Sequence, residues 1–386
     1  MQGIGSPSLD SSAMPGSPGR PGIDVLILAR DEEAAIPDTL AGLQALLSPE
    51  DILHVVADHC RDHTARLAAA AGARVYLRDG AGVPGKGQAL RFWLDRTRKA
   101  SRPDQIVLVL DADSRLLPGS LQRVAGLFDA GARVVQIPVT PSLSSQAPMP
   151  RLAAYSELVE HRVFERLRAR LGWPVRLRGT GMAFRRDVLE VAAEGLHTTV
   201  EDLELTLRLV DRGYAIRYAE GAAVLDPKPV DAPGVVRQRS RWFRGQMMVL
   251  HDYPGTILRI AGRGPAGWLL LYDALARPKA LVLPAQLLVA SAVLALSAST
   301  RSTLWALLGL ALLLPILVDA TAYLVGIGRL ASRGELLQVL VHLPGYMLTW
   351  ARSIGLALRS DEAWLSARPI GLRPPEPDRR HAPESS

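Results

Sequence analysis

Residues 106–113 read Ile106-Val107-Leu108-Val109-Leu110-Asp111-Ala112-Asp113: five apolar side chains, then two carboxylates two positions apart. An apolar run without alternation predicts a parallel strand buried on both faces. In open α/β sheets the ligand crevice lies outside the carboxyl ends of such strands. Asp111 and Asp113 therefore fall where a ligand binds, and as the strand ends both can turn toward one ion. Hard oxygen donors of this kind suit Mg²⁺ or Mn²⁺ carrying a diphosphate. Taken alone, the triplet also fits a solvated loop that caps a following helix.

The neighbouring sequence decides for the sheet. Residues 23–29 (IDVLILA) form an apolar strand, and 31–47 show helical spacing with Ile36, Leu40, Leu43 and Leu47 on one side. A second strand follows over 52–57, a helix over 64–71 closed by Gly72, a third strand over 74–77 and a helix over 87–99. This alternation predicts parallel βαβ units in a doubly wound sheet. It continues to about Leu225, with more helix over 153–169. The α/β domain is assigned residues 23–250. Residues 1–22 are rich in Gly, Ser and Pro and lack a basic and an apolar region, so they read as a disordered tail and not a signal peptide.

The chain of 386 residues is long enough for one large domain with additions. Its 45 Lys+Arg against 38 Asp+Glu give a formal net charge of +7. A basic surface suits anionic lipid or phosphorylated substrates. No long Lys/Arg run is interleaved with aromatics, so nucleic acid is not an expected partner. The lone cysteine, Cys60, excludes an intrachain disulfide and a cysteine-based metal site, and fits a reducing compartment.

Hydrophobic residues make up 48% of the chain, and their excess lies beyond residue 265. Residues 280–297 carry no charge over about the length that crosses a bilayer, and 303–326 are similar apart from Asp319. A third segment, 336–358, is broken by His342, Pro344 and Arg352 and is expected to be interfacial or spanning. Within 251–279, residues 269–279 mix apolar positions with Asp273, Arg277 and Lys279, which predicts an amphipathic helix on the membrane surface. The loop at 298–302 holds only Arg301, whereas Arg277, Lys279, Arg329 and Arg333 flank the spans. Positive-inside then sets the α/β domain in the cytoplasm, at the inner membrane. Residues 359–386 form a C-terminal tail.

Several strand ends each offer one polar group to a common crevice, as a nucleotide site requires. Asp58 can accept from a base N–H. Lys86, between Gly85 and Gly87, can neutralise a diphosphate. Asp31 and Asp62 also suit helix N-caps. Residues 80–86 (GAGVPGK) match the first part of a P-loop, which opens a competing NTPase or nucleotidyltransferase class. The Ser or Thr that should follow is Gly87, which counts against it. Gly179-Thr180-Gly181 suits a tight loop beside a ligand. Glu201 and Asp202 open a leucine-rich helix, where the helix dipole also favours acids. In Gln238-Arg239-Ser240-Arg241-Trp242, an arginine can pair with phosphate while the ring stacks on a sugar or base. The same segment also fits a basic helix at lipid headgroups.

This ordered set resembles the family 2 glycosyltransferases, inverting enzymes of GT-A fold, and within them the membrane-associated branch of cellulose, chitin and hyaluronan synthases. The resemblance implies that Asp58 holds the donor base and Lys86 the donor diphosphate. It implies that Asp111 and Asp113 bind ribose and a divalent metal, Mg²⁺ or Mn²⁺. Asp202 would be the catalytic base. Gly179, Thr180, Gly181 and Glu201 would line the substrate site, and Gln238, Arg241 and Trp242 would bind diphosphate and acceptor. The donor would be a nucleotide sugar, expected to be a UDP-sugar, and one displacement would turn an α-linked donor into a β-linked product. The membrane part is smaller than in polymer-secreting members. The expected acceptor is therefore lipid-linked or a membrane-proximal glycan, with polysaccharide-assembly subunits as partners for any polymer. The alternative within the same fold is a catalytically silent membrane scaffold.

Overall fold

A computed structural model describes residues 22–80, 82–141, 148–228, 231–275, 278–330 and 333–359. The expected terminal tails, but for their residues 22 and 359, and Arg277 lie outside the described residues.

Among the described residues ten strands form two sheets. They are β1 (Ile23–Ala29), β2 (Ile52–Asp58), β3 (Arg74–Arg78), β4 (Ile106–Asp111), β5 (Arg115–Leu116), β6 (Val134–Gln136), β7 (Val139–Pro141), β8 (Met182–Arg185), β9 (Ile216–Tyr218) and β10 (Val224–Asp226). The main sheet has the order β3-β2-β1-β4-β8-β6-β9. Strands β1 to β4 are parallel, as the strand–helix alternation predicts. Strand β8 departs from that pattern and runs antiparallel between β4 and β6. A small sheet, β5-β10-β7, stands beside it.

The unbroken apolar run of β4 has a direct cause. Val107 and Val109 join Trp93, Leu189 and Leu205 in one core, whereas Ile106, Leu108 and Leu110 join Ile36, Leu40 and Val124 in another. With a core on each face, neither set of alternate residues meets water. In the pairing of β4 with β1, Leu28 lies opposite Asp111, so the first acid emerges as the neighbouring strand ends.

The helix Pro148–Val159 passes through a π-helical turn, Glu160–Glu165, into Arg166–Arg170. Such turns often accompany functional sites. The last three helices are Lys279–Thr300, Thr303–Leu330 and Arg333–Arg359. Lys279–Thr300 and Thr303–Ile327 are long and apolar enough to cross a membrane. Helix Arg333–Arg359 buries Tyr346, Thr349, Trp350, Ser353 and Ala357 while Leu337, Val341, Leu348 and Leu358 are exposed. The segment read as a surface-lying amphipathic helix is Pro265–Leu275. Within it Trp268 and Leu269 are exposed, whereas Asp273 faces inward and is fully buried, with Arg168, Arg176, Arg178 and Lys279 all within 4 Å of its carboxylate.

Candidate active site

A cavity of about 350 Å³ opens at the carboxyl ends of β1 and β4. Its lining includes Lys86, Asp111, Asp113, Gly179, Glu201, Asp202, Gln238, Arg241 and Trp242, nine of the twelve residues singled out in the sequence. Lys86 opens the helix Lys86–Thr97, and its Nζ lies 2.5 Å from Asp111 Oδ1. Burial opposes its charge, but Asp111 and Glu201 outweigh burial and raise its pKa, so it is held as a cation. Glu201 is buried, and its pKa is pushed up to about 7: burial and the neighbouring Asp202 disfavour a second negative charge, against Lys86 and Arg241.

Close backbone approach positions these groups. The helix Glu201–Asp211 carries Glu201 and Asp202, and the helix Ala232–Asp252 carries Gln238, Arg241 and Trp242. A Cβ on Gly245 would lie 2.5 Å from Val200, so the second helix rests directly on the entry to the first. Gly87, where a P-loop has its hydroxyl, faces Leu196 at 3.3 Å from an added Cβ. Packing, not phosphate binding, occupies that position.

Three predicted residues do not line the cavity. Asp58 is fully buried and ties down the loop after β3: it accepts from His59 Nδ1 at 2.8 Å and the Gly85 amide at 2.9 Å, and pairs with Arg78. Thr180 sits beneath the acidic loop, where its hydroxyl accepts from the Asp111 amide at 3.2 Å and contacts Ser114 Oγ at 2.9 Å. Gly181 has φ +66, and a Cβ there would meet Val224 at 3.0 Å and Ile137 at 3.1 Å. It is a packing glycine, and only Gly179 of that loop faces the ligand space.

Other residues complete the site. Gln136, on β6, accepts from the Arg178 amide and donates to the Thr180 carbonyl, each at 2.9 Å, and so clamps the glycine loop. Glu157, His161, Arg176, Arg178, Asp226, Lys228 and Trp350 also line the cavity. Lys228 Nζ lies 2.5 Å from Glu157 and 2.6 Å from Asp226. These residues have no motif spacing; they come from the helical run 148–170, the segments 176–178 and 226–228, and the helix Arg333–Arg359, which the fold packs together. Asp111 and Asp113 offer carboxylate oxygens to one space, a donor set that fits Mg²⁺ or Mn²⁺ with diphosphate oxygens and water as further ligands.

The family described as glycosyl transferase family group 2 matches residues 106–351, more than half of the chain, and the chain belongs to it. It is similar to a β-monoglucosyldiacylglycerol synthase of Trichormus variabilis, 27% identical over 250 residues, covering 62% of this chain and 52% of that one. It is also similar to the probable glycosyltransferase YdaM of Bacillus subtilis, 27% identical over 247 residues, covering 60% and 56%. The chain thus spans about half the length of the curated relatives it matches. A mannosyltransferase of Pyrobaculum calidifontis, solved with GDP-Man and Mn²⁺, superposes with a TM-score of 0.54 at 19% identity, over 91% of each chain. That likeness establishes the GT-A fold. Membership in a glycosyltransferase family leaves the P-loop NTPase reading without support.

Proposed function

We propose that this protein is an inverting glycosyltransferase that moves a sugar from a nucleotide-diphospho-sugar, a UDP-sugar by expectation, to a lipid-linked or membrane-proximal acceptor. The observation that carries this reading is the convergence of Asp202 with Lys86, Asp111, Asp113 and Arg241 on one cavity. Asp111 and Asp113 would hold Mg²⁺ or Mn²⁺, which when bound supplies charge neutralisation to the leaving diphosphate. Lys86 and Arg241 add fixed positive charge at the same end. Asp202 takes the proton of the acceptor hydroxyl as its oxygen attacks the anomeric carbon. Gln238 and Trp242 border the acceptor, and Trp350 widens that aromatic surface. Displacement from the face opposite the diphosphate gives a β-linkage from an α-linked donor.

The domain plan follows. Residues 23–250 form the catalytic unit and 251–279 join it to the membrane. Residues 280–297 and the first part of 303–326 span, and 336–358 lie at the interface with their exposed leucines in lipid. Positive-inside favours a cytoplasmic catalytic domain at the inner membrane. The glycolipid synthases among the relatives support a membrane acceptor. The test is nucleoside diphosphate release from a panel of nucleotide sugars by membranes carrying the protein. Release from one donor, lowered by about 10²–10⁴-fold in Asp202→Asn, is the expected result. Release unchanged in that variant would overturn the assignment of the base, and no release from any donor would favour a silent scaffold.

A further inference from the structure

The cavity has a second set of polar residues that the donor chemistry leaves unused: Glu157, His161, Arg176, Arg178, Asp226 and Lys228. Asp202 lies between the two sets, since it acts electrostatically on Glu201 on one side and on Arg176 and Arg178 on the other. Two of the three cations in this set are matched by carboxylates. Lys228 contacts Glu157 and Asp226, and Arg178 contacts Glu165 and, at 3.5 Å, Glu160.

Arg176 is held more loosely, by an ion pair that lacks a hydrogen bond. Its side chain is 9% exposed, and the nearest carboxylate oxygen, on Asp273, is 3.8 Å from Nε, too far for a hydrogen bond. That oxygen already receives Arg168 at 3.0 Å. Among the described residues nothing accepts a hydrogen bond from the Arg176 guanidinium, and its Nε is buried without a partner. Burial and the adjacent Arg178 bring its pKa down to about 10 against the pull of Asp273, Asp202 and Glu165, so the carboxylates around it do not fully offset its burial. A buried guanidinium without an acceptor is costly unless a ligand supplies one.

This end of the cavity adjoins the membrane helices. The Tyr323 hydroxyl, on Thr303–Leu330, donates to Glu160 at 3.0 Å, next to His161. On the proposed topology a ligand entering here comes from the lipid surface, where the abundant anion is the phosphoryl group. The guanidinium fork matches phosphoryl oxygens in a bidentate pair.

Resting on the glycosyltransferase reading above, we propose that Arg176 receives a phosphoryl group of the acceptor, which makes the acceptor a phospholipid with a hydroxylated headgroup. The headgroup hydroxyl oxygen forms its bond to the anomeric carbon as the bond from that carbon to the donor diphosphate breaks. The hydroxyl proton passes to Asp202, and the electron pair leaves with the nucleoside diphosphate. The phosphoryl group is unchanged and acts as an anchor. His161, kept neutral by burial and by Arg178, Lys228 and Arg176, adds no competing charge.

The test measures binding, so it stands apart from turnover. The full chain in neutral-lipid nanodiscs is titrated by calorimetry with dihexanoyl phosphatidylglycerol, dihexanoylglycerol, inorganic phosphate and UDP. The wild type is expected to bind the phosphoryl lipid at least about tenfold tighter than the neutral one. Arg176→Gln is expected to lose about ten- to a hundredfold for the phosphoryl lipid alone, with UDP binding unchanged and partial recovery in Arg176→Lys. Equal wild-type affinity for the two lipids overturns the proposal without needing any variant. So does an equal loss for both lipids in Arg176→Gln, or competition by inorganic phosphate as strong as by the lipid. Absent turnover with intact lipid discrimination would instead count against the glycosyltransferase reading and leave the anchor standing.

Discussion

Replacing Asp273 with asparagine removes the one carboxylate that stands within 4 Å of Arg168, Arg176, Arg178 and Lys279 together. Asparagine keeps the volume and one acceptor oxygen, so the change isolates charge. Glu165 still serves Arg168 at 3.7 Å and pairs with Arg178, but among the described residues no second carboxylate is ion-paired with Arg176. Breaking a buried ion pair from one side costs about 3–5 kcal/mol, because it leaves charge uncompensated. At about 2 °C per kcal/mol for a chain of this size, the melting temperature should fall by about 6–10 °C. Acid sensitivity supplies a second readout. Burial would raise the pKa of Asp273, but the four cations outweigh it and hold the carboxyl well below its usual range. A carboxyl depressed in the folded state contributes stability above its unfolded pKa, about 4, and loses it as the pH falls toward the folded value. Wild type should therefore lose stability below about pH 4 more steeply than Asp273→Asn. Thermal unfolding of the detergent-solubilised protein, followed by circular dichroism at pH 3 to 8, measures both effects. A variant melting within about 2 °C of wild type at pH 7, or sharing its acid limb, would refute the view that this carboxylate balances the cluster.

Other outcomes follow from the site. Glu201 should ionise near pH 7, adding negative charge beside Lys86 and Arg241; donor KM should rise above that pH in wild type and stay level in Glu201→Gln, as a pH series of initial rates will reveal. Thr180→Val removes the acceptor of the Asp111 amide and should lower kcat by about tenfold while the fold is retained, measured by turnover together with circular dichroism. Chelation by EDTA should abolish nucleoside diphosphate release and Mn²⁺ should restore it, with Asp113→Asn responding only at higher Mn²⁺; release that survives EDTA would contradict a metal held by Asp111 and Asp113.

The strand–helix alternation of residues 23–111 was legible because each element there buries a local pattern, and parallel neighbours follow in sequence. Strand β4 carried its own diagnosis in five apolar residues ending at an acid. The antiparallel strand β8 was not legible, since its pairing with Val107 and Val135 depends on contacts across tens of residues. The same holds for the β5-β10-β7 sheet, whose strands are two or three residues long. Motif spacing selects Lys86, Asp111, Asp113, Glu201 and Asp202, and the fold brings all five to one cavity. Sequence alone gave no sign that Arg176, Arg178 and Asp273 are buried, because arginine-rich segments ordinarily read as solvated. Thr180 and Gly181 were read as ligand contacts from a loop pattern that, in the fold, turns one glycine to the cavity and the other residues to the core.

The buried charges also bear on where a membrane would begin. Lys279 is the first residue of the helix Lys279–Thr300, and it pairs with Asp319 at 3.1 Å, so the two lie at one level. The Tyr272 hydroxyl adds a bond to Asp319 at 2.8 Å. On the proposed topology, a membrane boundary near this pair leaves 303–318 as the crossing part of the second helix, about 24 Å at 1.5 Å per residue. Tilt and local thinning accommodate that length. Residues 320–330 then run past the boundary toward the catalytic domain. Tyr323 bonds Glu160 there, and an added Cβ on Gly326 would lie 2.8 Å from Val159. On that topology the apolar stretch is shared: its last turns pack on the π-helical segment that carries His161. The helix Thr303–Leu330 and the inner wall of the cavity are one packed unit, and on the proposal above an acceptor drawn from the lipid surface would meet Arg176 where that unit forms.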